Sequence, residues 1–250
     1  MQANRLLLAA SDREWLDRAT ELTINALRQG LEESGRARWV LAGGGTPLPL
    51  YRELAAQHRE TLDWSKVDFF WGDERSVPPD DTASNFGSAA STLLAPLSIE
   101  AAQIHRIEGE VAPEVAAARY GRVVARALSA GDWDLVLLGI GADGHTASLF
   151  PPIPSDGRSP LVAATEAPTP PHERVSLTPR ALNRAHEVVF LAAGAGKAAA
   201  VRRAREGDPT LPAAQIRPRG RLAWCLAPDL AAELAGSHRR VESEAPHQEG

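Results

Sequence analysis

The stretch Asp134-Leu135-Val136-Leu137-Leu138, followed at once by Gly139-Ile140-Gly141-Ala142-Asp143-Gly144-His145, decides the fold. Four apolar residues behind Asp134 show no alternation of apolar and polar, the pattern of a parallel strand covered on both faces. Outward from it, strand and helix patterns take turns. Ser11-Asp12-Arg13-Glu14 is a capping box, with Trp15, Leu16, Ala19, Leu22, Ala26 and Leu27 at helical spacing up to a stop near Gly35. A strand is expected over Arg38–Ala42. The next helix is expected to be capped by Thr46, with Pro47 at its first position, and to run to about His58. Val67–Trp71 reads as a strand, Ser84 as the cap of a helix to about Leu94, and Pro113 as the start of a helix to about Leu128. After the central strand come strands at Arg174–Leu177 and Glu187–Leu191, a helix at Lys197–Arg205, a strand at Arg221–Leu226 and a helix at Asp229–Ala235. Residues 151–171 hold seven prolines in 21 positions, which predicts a long surface loop, a lid or simply a mobile segment.

This alternation predicts an α/β protein. It has a single doubly wound, mostly parallel sheet with helices on both faces, a Rossmann-like three-layer architecture. One domain over 1–236 and a disordered, solvated tail over 237–250 are expected, since no repeat or linker separates two cores.

Composition narrows the function. The chain has 250 residues, 44% hydrophobic and 24% charged, ordinary for a globular protein large enough to hold a core unaided. The longest run without a polar residue, Val188–Gly196, is nine residues, and a membrane span needs about 20. Net charge is −5 and no run of four basic residues occurs, which argues against nucleic acid as a partner. Cys225 is the only cysteine, so no intramolecular disulfide or multi-cysteine metal site is possible. Its expected place is buried on a strand, and the expected compartment is the cytoplasm. Of 27 basic residues only Lys66 and Lys197 are lysines, a bias of GC-rich, bacterial coding under which a surviving lysine is a candidate for chemistry.

Four unusual segments each follow a predicted strand: Gly43-Gly44-Gly45-Thr46-Pro47, Gly72-Asp73-Glu74-Arg75, Gly139 to His145, and Gly194-Ala195-Gly196-Lys197. In a doubly wound sheet ligands bind outside the carboxyl ends of the strands, so all four belong to one edge. The first is a glycine turn entering a helix N-terminus, an anion site suited to phosphate, although a plain turn capped by Thr46 reads equally well. The third matches Gly-x-Gly-x-x-Gly, but Pro151 and Pro152 stop the long helix that a dinucleotide site needs. The fourth lacks the P-loop's first glycine, since Leu191 stands there, and Ala198 replaces its hydroxyl. His145 is a candidate general base, with Asp143 to fix its tautomer. Arg75 offers a planar fork for phosphate and Lys197 a mobile point charge, with Arg174 a further cation. Asp73 and Glu74 are possible ion-pair partners of Arg75. No Gly-x-Ser-x-Gly elbow and no His-Glu-x-x-His helix occurs.

The segments LAGGGTP, WGDERSVPPDDTASNF, LLGIGADGHTASLFP and RVSLTPRALNRAHEVVFLAAGAGK together resemble the motif series of the 6-phosphogluconolactonase family, in order and up to about Leu234. The resemblance implies hydrolysis of 6-phospho-D-glucono-1,5-lactone to 6-phospho-D-gluconate in the oxidative pentose phosphate pathway, with no metal or organic cofactor. His145 is then the base and Asp143 its support. Gly43, Gly44, Gly45, Thr46, Asp73, Arg75, Asn85, Arg174 and Lys197 are the expected substrate- and phosphate-binding set. Backbone N–H groups of the glycine loops are candidates for the oxyanion. The expected partner is a small-molecule sugar phosphate lactone, with neither nucleic acid nor membrane, and the chain a monomer or weak homo-oligomer. Two positions depart from the family pattern: Gly45 stands where serine is usual, and Ala227 where a strand-end aspartate is usual.

Two other functions compete. Glucosamine-6-phosphate deaminases resemble the chain in the glycine turn and Gly-His, but carry Asp-Glu-Tyr where Arg75 follows Glu74, and an acidic residue soon after the histidine. Thr146-Ala147-Ser148-Leu149-Phe150 holds none. A non-catalytic sugar-phosphate sensor would keep the phosphate turn without needing Asp143 and His145, and would carry a DNA-binding segment; none precedes Arg38.

Overall fold

The computed structural model describes residues 4–152 and 159–243. In chain order the elements are β1 (Asn4–Leu8), α1 (Asp12–Ser34), β2 (Ala37–Leu41), α2 (Leu48–Gln57), β3 (Val67–Trp71), β4 (Asp73–Arg75), α3 (Asn85–Ala89) and β5 (Ile104–His105). They continue with α4 (Pro113–Ala130), β6 (Trp133–Leu138), β7 (Val162–Glu166), β8 (Glu173–Leu177), α5 (Pro179–Leu182), β9 (Ala185–Ala192), α6 (Ala198–Arg205), β10 (Arg221–Leu226) and α7 (Pro228–Ser243).

Seven strands form one sheet in the order β1-β10-β9-β6-β2-β3-β5, and every pairing in it is parallel. The expected doubly wound α/β architecture is therefore present. All six residues of β6 are buried, as its unbroken apolar run requires. From β2 the chain winds outward through β3 to β5; from β6 it winds the other way through β9 to β10. The order reverses between β2 and β6, and a ligand crevice forms outside the carboxyl ends at such a point.

Local signals explain the helix boundaries. Ser11 Oγ accepts the Glu14 N–H as the expected N-cap, whereas Glu14 Oε2 reaches back one residue further than a capping box and accepts the Ala10 N–H. Gly35 ends α1 at φ +74°, a left-handed conformation that costs glycine little. Gly30 gives α1 its closest approach to the sheet, because a Cβ there would overlap the Asp134 carboxylate. That carboxylate accepts the Arg38 N–H at 2.7 Å, joining β6 to β2.

Four expectations need correction. A second sheet, antiparallel in the order β4-β8-β7, has no strong sequence pattern, since β4 is only three residues long. Its strand β7 lies inside the proline-rich stretch read as loop: residues 161–167 hold no proline, and an edge strand paired on one side tolerates the prolines flanking it. Thr46 does not cap α2, whose N-cap position is Pro47 without a side-chain bond. The last helix does not stop at Ala235 but runs on to Ser243; residues 244–250, the end of the expected tail, lie outside the described residues. Among the described residues no helix is long and apolar enough to cross a membrane.

Candidate active site

The carboxyl ends of β2, β3, β6 and β9 carry the four glycine-bearing segments, and together they enclose one cleft of about 270 Å³. Gly43 to Pro47 form one wall, Gly72, Asp73 and Arg75 the next, and Gly139, Ile140, His145 and Ala147 the third, with Lys197 closing the far side. Asn85 enters from α3. Thus ten of the eleven expected site residues are at the cleft or bonded to a residue that lines it. Asp143 stands directly behind His145. Arg174 is set back: it pairs in register with Arg75 across β8 and β4, is buried, and donates its Nε–H to the Pro171 carbonyl.

The His145 loop is held tightly. Asp143 Oδ1 accepts the His145 backbone N–H at 3.1 Å and lies 2.6 Å from Nδ1. Burial pushes the Asp143 carboxyl up, but the His145 N–H, ring and charge outweigh it and hold it below its ordinary range. Phe150 lies against the imidazole at 4.8 Å between centroids. Gly141 leaves the space these groups occupy, for a Cβ there would overlap the His145 ring and Asp143. Thr146 Oγ1 closes the turn onto the Gly139 carbonyl at 2.8 Å.

The glycine turn lines the cleft and precedes α2, which sets the positive end of the helix dipole beside it; Pro47 and Pro49 have no N–H and the Leu48 N–H is bonded to the Gly45 carbonyl, so any N–H donors here come from the turn itself. Gly44 sits at φ +79°. Gly43 is required by contact, since a Cβ would overlap the Asn85 side chain. Gly45 is free of both constraints: a side chain there would meet nothing within 4 Å.

Glu74 does not pair with Arg75 as an ion pair. Its buried carboxylate accepts the N–H groups of Arg75, Asn85 and Phe86 at 2.7–2.8 Å and the Ser84 hydroxyl at 3.2 Å, closing the 75–85 segment at the start of α3. Burial pushes its carboxyl up, against those bonds. Arg75 Nη1 donates to the Ala83 carbonyl at 2.6 Å, so the guanidinium is aimed by the same loop.

Lys197 is half-buried, and burial pushes its ammonium down, with Asp229 partly opposing. Asp229 was not singled out from sequence. It stands two residues past Ala227, where the family's usual aspartate is missing, and accepts the Gly194 N–H at 2.9 Å, tying α7 to the Lys197 turn. Ser148 was also missed: it is 1% exposed and donates its hydroxyl to Asp73 at 2.6 Å.

Residues 10–224 match the family model of glucosamine-6-phosphate isomerases/6-phosphogluconolactonase. The chain belongs to this family. A 6-phosphogluconolactonase of Mycobacterium tuberculosis is 39% identical over 224 residues, covering 84% of this chain and 90% of that protein. One from Synechocystis is also 39% identical, over 222 residues, with the same coverage of each chain. The crystal structure of 6-phosphogluconolactonase from Thermotoga maritima superposes with a TM-score of 0.79 at 32% identity, over 91% of this chain and 99% of that one. A monomeric glucosamine-6-phosphate deaminase shares the fold, with a TM-score of 0.79 at 22% identity, over 92% and 99%. Proteins with either chemistry thus share this fold, and the residues around the cleft must separate them.

Proposed function

We propose that the chain hydrolyses 6-phospho-D-glucono-1,5-lactone to 6-phospho-D-gluconate, the lactonase step of the pentose phosphate pathway. The observation that carries this reading is the Asp143–His145 pair at 2.6 Å, opening into the same cleft as a glycine turn at a helix N-terminus. The identity of the lactonase relatives over most of the chain supports it.

The geometry performs the reaction as follows. The glycine turn 43–46 and the two cations that line the cleft, Arg75 and Lys197, hold the phosphate end. With the far end anchored, the lactone carbonyl is placed near His145, and binding energy is used for orientation. Ionised Asp143 accepts only, so Nδ1 carries the hydrogen and Nε2 is the base. His145 Nε2 takes a proton from water as its oxygen attacks the carbonyl carbon. The tetrahedral intermediate then collapses: the bond from that carbon to the ring oxygen breaks as the ring oxygen takes the proton back from His145 Nε2, and the carboxylic acid formed gives up its own proton to solvent. The products are the open carboxylate and a hydroxyl. No step calls for a metal or organic cofactor. A single buried cysteine suits a reducing compartment, and the reading places the enzyme in the cytoplasm.

The test is incubation with freshly made 6-phosphogluconolactone and, separately, glucosamine 6-phosphate. Acid release from the first above the spontaneous rate, without ammonia from the second, is expected. Ammonia release would make the chain a deaminase, and no turnover of either would leave a binding protein.

A further inference from the structure

The cleft floor holds a carboxylate whose neighbours leave it one kind of ligand. Asp73 lines the cleft yet is only 8% exposed. Its Oδ2 accepts the Ser148 hydroxyl at 2.6 Å, a short charge-assisted bond, and its Oδ1 accepts from Asn85 Nδ2 at 3.3 Å. The Asn85 amide also binds the Asp73 carbonyl at 3.0 Å. Among the described residues no ion pair joins Asp73 to a cation, although Arg75 is two positions away. An ionised carboxylate has about four acceptor sites and no donor. Two are used here, and the rest can be satisfied only by a donor inside the cleft. A phosphate oxygen is repelled at that place; a sugar hydroxyl fits it.

Asp73 also joins the walls of the cleft. Asn85 is wedged against Gly43 of the glycine turn, and Ser148 belongs to the loop that carries His145. Ala147, between them, is held at φ +48°, a left-handed conformation unusual for a residue with a side chain. The turn sends Ser148 inward, where its N–H donates to Ser176 Oγ at 3.2 Å, while His145 keeps to the cleft. Ser176 is in turn the register partner of Asp73.

We infer that Ser148 is a positioning residue: its hydroxyl orients the Asp73 carboxylate, which accepts a hydrogen bond from a substrate hydroxyl and sets the sugar relative to His145. This rests on the lactonase reading above. Ser148 itself touches no substrate; Asp73 does.

The test is a double-mutant cycle in kcat/KM for 6-phosphogluconolactone, with wild type, Ser148→Ala, Asp73→Asn and the pair. Ser148→Ala is expected to lose about ten- to hundredfold, the scale of a hydrogen bond to a charged group, with the melting temperature nearly unchanged. In the Asp73→Asn background the same change is expected to cost less than about threefold, because the group it acts through is gone. Ser148→Cys, a weaker donor, is expected to fall between serine and alanine, and replaces alanine in the cycle if that variant does not fold. A purely structural serine loses equally in both backgrounds, and that result, or a Ser148→Ala enzyme as active as wild type, overturns the assignment. Turnover by wild type separates the two ideas: an active wild type with an additive pair removes only Ser148, whereas an inactive wild type removes the lactonase reading and this inference with it.

Discussion

Asp143 Oδ1 meets His145 twice, at the backbone N–H (3.1 Å) and at ring Nδ1 (2.6 Å), so a single carboxylate oxygen fixes both the loop and the imidazole. Two attachments leave the ring little freedom to turn, and the free Nε2 keeps its aim. His145→Ala should lower kcat about 10²–10⁴-fold, the usual loss for a general base, while the fold survives because the residue sits on a loop. Asp143→Asn should also lower kcat strongly, because its amide can donate to Nδ1 and leave the hydrogen on Nε2. Saturating kcat and thermal melting on both variants check this; near wild-type kcat in His145→Ala removes it from the mechanism.

Gly141 offers a sharper test of the same pair. A Cβ at this position overlaps the His145 ring and Asp143 rather than backbone, so it is accommodated only by breaking the Asp143–His145 contact. Gly141→Ala should therefore leave the melting temperature close to wild type and lower kcat by roughly the general-base factor of 10²–10⁴. A variant that stays active shows that the ring tolerates displacement and that its packing does not set the rate.

Much of this arrangement was legible in the sequence, for reasons that differ by element. The six buried residues of β6 carry an unambiguous pattern, and the strand-end rule then gathers four distant segments without any contact information. The three-residue β4 and the proline-flanked β7 have no periodicity to read, because β4 is too short for one and β7 is defined by its partner β8. Adjacency points to Glu74 as a partner for the Arg75 guanidinium, yet its oxygens go to the N–H groups of Asn85 and Phe86, eleven and twelve residues on. Ser148 looks like any serine until the fold brings it 75 positions back to Asp73. Asp229 was hidden by the vacancy at Ala227, since a carboxylate two residues later reaches the Lys197 turn through α7.

Away from the cleft, Asp68 links stability to acid. Burial opposes its charge, but the His105 imidazole 3.9 Å away and two hydrogen bonds from Arg36 outweigh it and hold the carboxyl down at about 2. A folded value below the ordinary 3.9 or so means the stabilisation is full above that value and is lost as pH falls toward 2. Arg36 is half exposed, at 48%, so solvent screening leaves about 1–2 kcal/mol of the full shift. Asp68→Asn should be less stable than wild type by that amount in urea at pH 6, and the gap should narrow steadily toward pH 3. A gap that stays constant with pH assigns the loss to packing.

Gly45 departs from the family's serine without a structural reason to do so. Its φ is not among the positive ones, and a side chain there meets nothing within 4 Å. Gly45→Ser should fold normally and place a hydroxyl at the mouth of the glycine turn. One neutral hydrogen bond is worth about 0.5–1.5 kcal/mol, so KM for the phosphorylated lactone should fall about two- to tenfold. The unphosphorylated lactone should show no such gain. An unchanged KM places the phosphate away from this residue.

Lys197 tests where the cleft holds the phosphate. It is one of two lysines in a chain with 25 arginines, and it lines the cleft across three strand spacings from the Arg75 side. Its partial burial leaves a compact ammonium with limited room, where a planar guanidinium fits badly. Lys197→Ala should raise KM for 6-phosphogluconolactone by the worth of one charged hydrogen bond, about 1.5–3 kcal/mol, or roughly ten- to a hundredfold. Lys197→Arg should recover part of it. Unphosphorylated gluconolactone lacks the anion and should be handled alike by all three proteins. Because burial pushes the Lys197 ammonium down, its charge is lost at lower pH than that of a free lysine. The KM of wild type for the phosphorylated lactone should therefore climb in the alkaline range, and Lys197→Ala should lack that climb. If Lys197→Ala instead slows both lactones equally, the residue acts at the carbonyl or in the fold, and the phosphate is held without it.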